Sequence, residues 1–388
     1  MSEQFFAPCP RGLATVLADE LTALGADSVR AEDAGCAFRG GFDLIYAANL
    51  HSRIASRILW QVAHFPYAKE QDIYDAARAL PWPQWFDLAR TIKVELNAQR
   101  CPLKSLDFIT LRIKDAVCDK FRDVKGARPS VATQNPDVRI HAFLDATHCW
   151  LYLDTSGEPL FKRGTRDHVG VAPLKKNLAA GILRLTGWSP DTPLLDAMCG
   201  SGTFLVEAAE LALKRAPGRA RPFGFEKLAR FDAKRWEALR ATAAGHELPA
   251  GEREIFGADL FGDALKDARA NLLAMGLADC VKLKQANILE LPAPADHGVM
   301  VTNPPYGVRI GEQEALREMY PKLGDALKQK YAGWTCFFFT ADTALAKGMR
   351  LSPSKKTPLF NGKLECRLYE YRIVAGSNRK TAEMKTPG

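Results

Sequence analysis

Leu194-Leu195-Asp196-Ala197-Met198-Cys199-Gly200-Ser201-Gly202-Thr203-Phe204-Leu205 is the stretch on which the fold turns. Two leucines read as a buried strand and an aspartate closes it. Two glycines one residue apart then bend the backbone sharply, and Thr203-Phe204-Leu205 opens a helix. A glycine pair alone also fits a strand-to-helix turn of no function. No Gly-Lys-Ser/Thr follows, which excludes a phosphate loop, and Leu205 breaks the dinucleotide fingerprint. What remains is an acidic strand end beside a glycine turn, a seat for an amino-acid-like, partly cationic ligand lying directly on main-chain atoms.

The same alternation continues downstream. Strands are expected at Ile255–Asp259, Val281–Gln285, Gly298–Thr302 and Thr335–Thr340, and helices at Thr203–Leu213, Gly262–Met275 and Ala315–Lys330. This predicts an α/β domain: an open, mainly parallel, doubly wound sheet with helices on both faces. Upstream, short strands at Gln4–Pro8, Cys36–Arg39, Thr91–Asn97, Arg139–Leu144 and Cys149–Asp154 mix with helices at Gly12–Leu24, Asp43–Trp60, Asp72–Leu80 and Leu106–Val124. That pattern predicts small α+β layers over residues 1–155. Between the two halves, Gly157 to Arg166 carries glycine, proline and three cations, as a linker or the edge of a binding groove would. The polar tail 376–388 reads as disordered.

At 388 residues the chain is expected to form two or three domains. No apolar run of eighteen residues occurs and Met1 to Gln4 lacks the character of a signal peptide, so a cytoplasmic protein with no membrane partner is expected. Nine scattered cysteines without a C-x-x-C pair argue against a metal site or a disulfide frame. The net charge of +8 lies entirely beyond residue 164. The stretches 90–139 and 214–240 are locally basic, which suits a phosphate-bearing partner as well as a solvated helix face.

Three further sites carry chemistry. Asp259 closes the second strand of the α/β half, where a carboxylate can accept both hydroxyls of a ribose or cap the next helix. Asn287, followed by Ile288, ends another strand, where its amide could meet an adenine edge or simply form a turn. Val299-Met300-Val301-Thr302-Asn303-Pro304-Pro305-Tyr306-Gly307 is an apolar strand ending in an amide, two prolines and an aromatic. The prolines fix φ and stop the strand, so the Asn303 side chain and the Pro304 carbonyl are rigidly presented at the carboxyl edge of the sheet. Two fixed acceptors suit an –NH2 group. An exocyclic amine on a base is a poor nucleophile because its lone pair is delocalised; holding both N–H bonds favours pyramidalisation and frees that pair for attack on a sulfonium methyl. Tyr306 would stack on the base, worth roughly 1–3 kcal/mol, once the base has left its helix.

In this order, Asp196 to Thr203, Asp259 and Asn303-Pro304-Pro305-Tyr306-Gly307 resemble the class I methyltransferases that modify base amines. More narrowly, the chain is similar to the THUMP-domain RNA methyltransferases, and among them to the enzymes that methylate guanine N2 of 23S rRNA. Leu160 to Gly164, Ala172 to Ala180 and Asn361 to Leu368 extend the likeness over nearly the whole chain. The resemblance implies a ferredoxin-like lobe and a THUMP fold (about 43–155) that grip structured RNA, a linker (156–171), and a Rossmann-like domain (172–375). It implies S-adenosyl-L-methionine as cofactor, without a metal. Asp196, Met198, Cys199, Gly200, Gly202 and Thr203 would cradle the methionine part, Asp259 and Leu260 the ribose, Asn287 and Ile288 the adenine. Asn303, Pro304, Pro305 and Tyr306 would be catalytic, and Asn303 would also border the cofactor. Ala172 to Ala180, with Pro173, would lie over the cofactor, and 214–240 reads as an insertion that touches RNA. Two departures stand out: no second methyltransferase domain follows, so one modification is expected, and Asn287 stands where such sites commonly carry an acid. A monomer is the default expectation.

The leading reading is guanine-N2 methylation of large-subunit rRNA. The same chemistry on tRNA and adenine-N6 methylation are rivals, although the first 155 residues offer no DNA-reading helix pair. A non-catalytic RNA-binding assembly factor would be free to lose the residues that are intact here.

Overall fold

The computed structural model describes residues 2–163, 174–305 and 310–375. Alternating burial gives the N-terminal half seven strands: β1 (Glu3–Pro8), β2 (Asp27–Glu32), β3 (Gly35–Gly40), β4 (Leu59–Pro66), β5 (Ile92–Ala98), β6 (Val138–Leu144) and β7 (His148–Asp154). In β6, for example, Val138, Ile140, Ala142 and Leu144 are buried while the residues between them are not, so one face packs and the other does not. The strands join into one sheet in the order β2-β3-β1-β4-β7-β6-β5, antiparallel except between β5 and β6. The arm is therefore one continuous sheet where separate small layers were expected.

Its helices are α1 (Ala14–Ala23), α2 (Leu44–His51), α3 (Glu70–Ala79), α4 (Trp82–Trp85) and α5 (Leu106–Lys125). Helix α5 begins where Ser105 Oγ accepts from Phe108 N–H at 3.2 Å and ends at Gly126, whose φ of 76° only glycine adopts without cost. The helix expected over Asp43–Trp60 stops at His51. Ile54, Ala55 and Ile58 are fully buried in an irregular connection, and the chain then becomes β4, a central strand. Their helix-like spacing thus reflects burial in the core and not a helical stripe.

The second half comprises α6 (Lys176–Leu185), β8 (Leu194–Asp196), α7 (Thr203–Ala212), α8 (Ala233–Gly245), β9 (Ile255–Asp259), α9 (Gly262–Ala274), β10 (Lys282–Gln285), β11 (Gly298–Thr302), α10 (Ile310–Lys330), β12 (Trp334–Thr340), α11 (Ala344–Gly348), β13 (Lys355–Asn361) and β14 (Leu364–Arg372). The sheet order is β10-β9-β8-β11-β12-β14-β13, parallel through β12 and closed by the antiparallel β13–β14 hairpin. Strand order reverses between β8 and β11, which opens a crevice at their carboxyl ends.

The two halves share a buried interface. Arg163 grips Glu207 of α7 with Nε to Oε1 at 3.2 Å and Nη2 to Oε2 at 2.7 Å, while Arg53 reaches the same carboxylate at 3.3 Å. Burial pushes the Glu207 carboxyl up, but Arg163 and Arg53 together hold it below the usual carboxylate range. Gly181 of α6 lets Leu13 of the arm approach closely; a Cβ there would lie 2.3 Å from Leu13 Cδ1. Tyr46 of α2 sits among Phe225, Phe231 and Trp236, with the Phe225 ring 4.9 Å away, and its Oη accepts from Asp232 N–H at 2.8 Å. The stretch 214–240, expected to touch RNA, is thus largely interdomain packing. Its arginines are engaged within the molecule: Arg215 donates to Met275 O at 2.9 Å, Arg219 to Glu210 at 2.6 Å and Arg230 to Glu3 at 2.6 Å, and Arg235 pairs with Asp43.

Candidate active site

The crevice is built from the ends of β8, β9 and β11. Gly257 pairs with Asp196, and Met300 pairs with Leu195, so the carboxyl ends of β9 and β11 flank the loop that leaves β8. That loop is tied from three sides. Asp196 Oδ1 accepts from Met198 N–H at 3.2 Å, Cys199 N–H donates to Ala258 O at 2.9 Å, and Gly200 N–H donates to Asp259 Oδ2 at 2.9 Å. Gly200 and Gly202 hold φ of 52° and 83°, a region closed to most side chains. Asn271, which sequence reading did not single out, donates from Nδ2 to Ser201 O at 3.0 Å and anchors the loop to α9.

A Cβ placed on Gly200 would meet nothing within 4 Å, so the loop borders open space that a side chain would fill. Asp196 is buried, and burial, reinforced by the neighbouring Asp259 carboxylate, pushes its carboxyl up to about 7. Thr302 Oγ1, the last group of β11, is buried close to Asp196 without a well-formed hydrogen bond. A half-neutral carboxyl, a buried hydroxyl without a well-formed hydrogen bond among the described residues and a side-chain-free cradle together fit a ligand that brings an ammonium and hydrogen-bonding groups. Cys199, by contrast, has its thiol pushed far up by burial and is inert.

Asp259 spends one hydrogen bond per oxygen on the protein, Oδ2 on Gly200 N–H and Oδ1 on Phe261 N–H at 2.9 Å, and a carboxylate keeps further lone pairs for a ribose. It therefore organises the glycine loop and the turn into α9, while Phe261 is the helix N-cap position. Leu260 and Phe261 stand 54% and 69% exposed at the lip of the crevice. Phe261 was not identified from sequence; an exposed aromatic directly after a strand-ending acid is the signal that could have marked it. Asn287 Oδ1 accepts from Leu289 N–H at 3.0 Å, the contact of a side-chain-capped turn. Ile288 is buried in the core under it.

Asn303 follows the fully buried Thr302 and is half-buried; Pro304 is buried and Pro305 exposed. Asn303 thus follows directly on the carboxyl end of β11. Pro173 and Tyr306, also expected at the site, lie outside the described residues. Of the segment 172–180, the described part faces the arm: Lys176 Nζ donates to Arg163 O at 2.8 Å and Asn177 Nδ2 to Ser56 Oγ at 3.1 Å.

With this geometry in hand, residues 163–370 match the family described as the RMKL-like methyltransferase domain. The chain belongs to this RMKL-like methyltransferase family. Residues 67–154 of the RMKL-like chain match the THUMP domain, and residues 4–59 the RlmL ferredoxin-like domain. A relative from Synechocystis sp., named "Putative RNA methyltransferase slr0064", is 38% identical over 95% of this chain and 96% of its own length. The ribosomal RNA large subunit methyltransferase K/L of Aeromonas hydrophila is 38% identical over 97% of this chain but 55% of its own length. The chain therefore spans about half the length of the K/L relatives. Among solved structures, SMU.472 complexed with SAH superposes with a TM-score of 0.89 at 30% identity, covering 97% of this chain and 99% of that one. This RMKL-like chain is a class I methyltransferase and its methyl donor is S-adenosyl-L-methionine. No helix among the described residues is long and apolar enough to cross a membrane.

Proposed function

We propose that this chain methylates the exocyclic N2 amine of a guanosine in large-subunit (23S) rRNA. The observation that supports the reading is the switch-point crevice between neighbouring strands β8, which leads into the Asp196–Gly202 loop, and β11, which leads into Asn303-Pro304. The THUMP and ferredoxin-like matches and the names of the K/L relatives support RNA as the substrate, with residues 1–155 as the gripping arm, 156–171 as linker and 172–375 as the catalytic domain. A cytoplasmic location follows from that substrate.

S-adenosyl-L-methionine, when bound, supplies an electrophilic methyl on a sulfonium. Asp196 would take the ammonium of its amino-acid part and thereby return to the charged form. Backbone at Met198, Gly200 and Thr203 would line the same part, Asp259 would accept from the ribose, and Leu260, Phe261 and Ile288 would flank the adenine. Asn303 Oδ1 and the Pro304 carbonyl would accept both N–H bonds of the target amine, fix its orientation and concentrate the nitrogen lone pair toward the methyl. Catalysis by these residues is positioning and electrostatics.

The test is to incubate the protein with isotopically labelled cofactor and separate pools of rRNA, tRNA and DNA, then digest and identify the methylated nucleoside by mass. N2-methylguanosine in large-subunit rRNA is expected. N6-methyladenosine, or label in tRNA alone, would replace this reading.

A further inference from the structure

Helix α1 packs on β2 and β3 and α5 on β5, and one face of the arm sheet, with Phe38, Ile140 and Val94, is buried. The other face is ruled by the strand register. His64 of β4 pairs with Trp150 of β7, Trp150 with Phe143 of β6, and Phe143 with Asn97 of β5, so these four side chains form a row across four strands. His64 and Asn97 are exposed, and Phe143 and Trp150 half-buried. The His64 and Trp150 rings stack with centroids 4.5 Å apart and planes 15° apart, and Phe143 lies 5.7 Å beyond Trp150. Large aromatic groups left at a surface call for an occupant.

Four residues back along β6, about 13 Å away, Arg139 enters a cleft of about 380 Å3 between the arm sheet and the insert. Arg139, Lys162, Arg221 and Lys227 line it, against the two carboxylates Asp137 and Glu158. Glu158 is already taken by Arg139 at 2.9 Å and Lys162 at 3.2 Å, and Asp137 by Thr91 N–H at 3.0 Å. Arg221 donates to Pro159 O at 2.8 Å and also to Glu158 O, yet its Nε–H is buried with no acceptor among the described residues. The cleft thus has an excess of positive charge and an unsatisfied donor.

An aromatic row beside a cationic cleft is complementary to bases and phosphates together. A duplex keeps its bases stacked on one another and could use only the cleft. We propose that unpaired nucleotides of the RNA substrate cross the open face of the arm sheet, their bases on the His64–Trp150–Phe143 row and a backbone phosphate in the Arg221 cleft. The proposal rests on the RNA reading above and names the part of the RNA that the arm holds. It also explains how the arm can grip RNA although most arginines of 214–240 are spent within the molecule.

The experiment is a fluorescence-anisotropy titration of the full chain with a labelled single-stranded oligoribonucleotide and with the same strand annealed as a duplex, at several salt concentrations. The single strand should bind more tightly. Trp150→Ala should weaken single-strand binding by roughly 5- to 100-fold and leave duplex binding unchanged, while Trp150→Phe restores most of the loss. Should Trp150→Ala fail to fold, the exposed His64→Ala serves in its place. Lys162→Gln with Lys227→Gln, both on exposed residues, should flatten the log–log salt dependence by up to about 0.7, the contribution of one phosphate on a single strand. Equal affinity for strand and duplex, or unchanged single-strand binding by Trp150→Ala and His64→Ala, overturns the proposal. S-adenosylhomocysteine affinity and methylated-nucleoside identity are measured in parallel. An altered nucleoside would refute the guanine reading and leave the arm proposal standing, and normal rRNA methylation with unaltered strand binding would do the reverse.

Discussion

Cofactor affinity should depend on pH through Asp196. With its carboxyl pushed up to about 7 by burial and by Asp259, the residue is largely neutral at pH 5.5 and largely ionised at pH 7.5 in the protein without cofactor. An ammonium seated against it favours the ionised form, so binding must first remove the proton. For a site that binds only when ionised, affinity scales with the ionised fraction, and between pH 5.5 and 7.5 that fraction rises about 25-fold. Stability moves the other way. The carboxyl is raised above its unfolded value of 3.8, so its contribution to stability is full below pH 4 and is lost as pH rises through about 7. Complete ionisation of the empty site costs on the order of 4 kcal/mol. Asp196→Asn should therefore stabilise the cofactor-free protein at pH 8, bind cofactor weakly, and lose the pH slope. Calorimetric titration with S-adenosylhomocysteine in this range, paired with thermal melts at pH 5.5 and 8, reads both effects. A flat affinity profile for the native protein, or the same slope in Asp196→Asn, refutes the reasoning.

Asn303→Ala should cut methyl transfer by roughly 100- to 1000-fold, as loss of one preorganised polar contact does, with S-adenosylhomocysteine binding retained; equal loss of both would place Asn303 in the cofactor cradle instead. Asp259→Asn should weaken cofactor binding through two routes, a missing ribose acceptor and a Gly200 N–H left facing an amide, and hydrogen exchange at Gly200 should speed up. Glu207→Gln removes the carboxylate that Arg163 and Arg53 share; Arg53 keeps Glu210 at 3.7 Å, but Arg163 is left a buried cation without its partner, which costs about 3–5 kcal/mol; chemical denaturation should show it, and an unchanged midpoint would mean that the cluster carries no net stability.

Much of the α/β half was legible because its elements are local. Leu194-Leu195, Ile255–Asp259 and Gly298–Thr302 are short apolar runs that end at an acid or a polar residue, and a parallel strand buried on both faces has no other way to look. The glycine turn and the Pro-Pro stop are backbone constraints that residue type alone dictates, so the loop after β8 and the end of β11 were legible from sequence. Class I methyltransferase chemistry was determined at that level.

Tertiary structure decided the rest, because pairing partners lie far apart in the chain. Ile54, Ala55 and Ile58 have helical spacing, yet they are buried core residues of an irregular connection, and β4 beyond them joins the ferredoxin-like and THUMP strands into one sheet. Within 214–240, which read as a nucleic-acid surface, Arg219, Arg230 and Arg235 pair with carboxylates outside the stretch, Glu210, Glu3 and Asp43, while Arg221 and Lys227 line the cleft. Asp259 and Asn287 carry hydrogen bonds to Gly200, Phe261 and Leu289 that fix the site's own loops, which spacing cannot express. The row of His64, Trp150, Phe143 and Asn97 exists only through strand register: four residues unremarkable in sequence become one surface because a sheet, unlike a helix, builds its faces from distant segments.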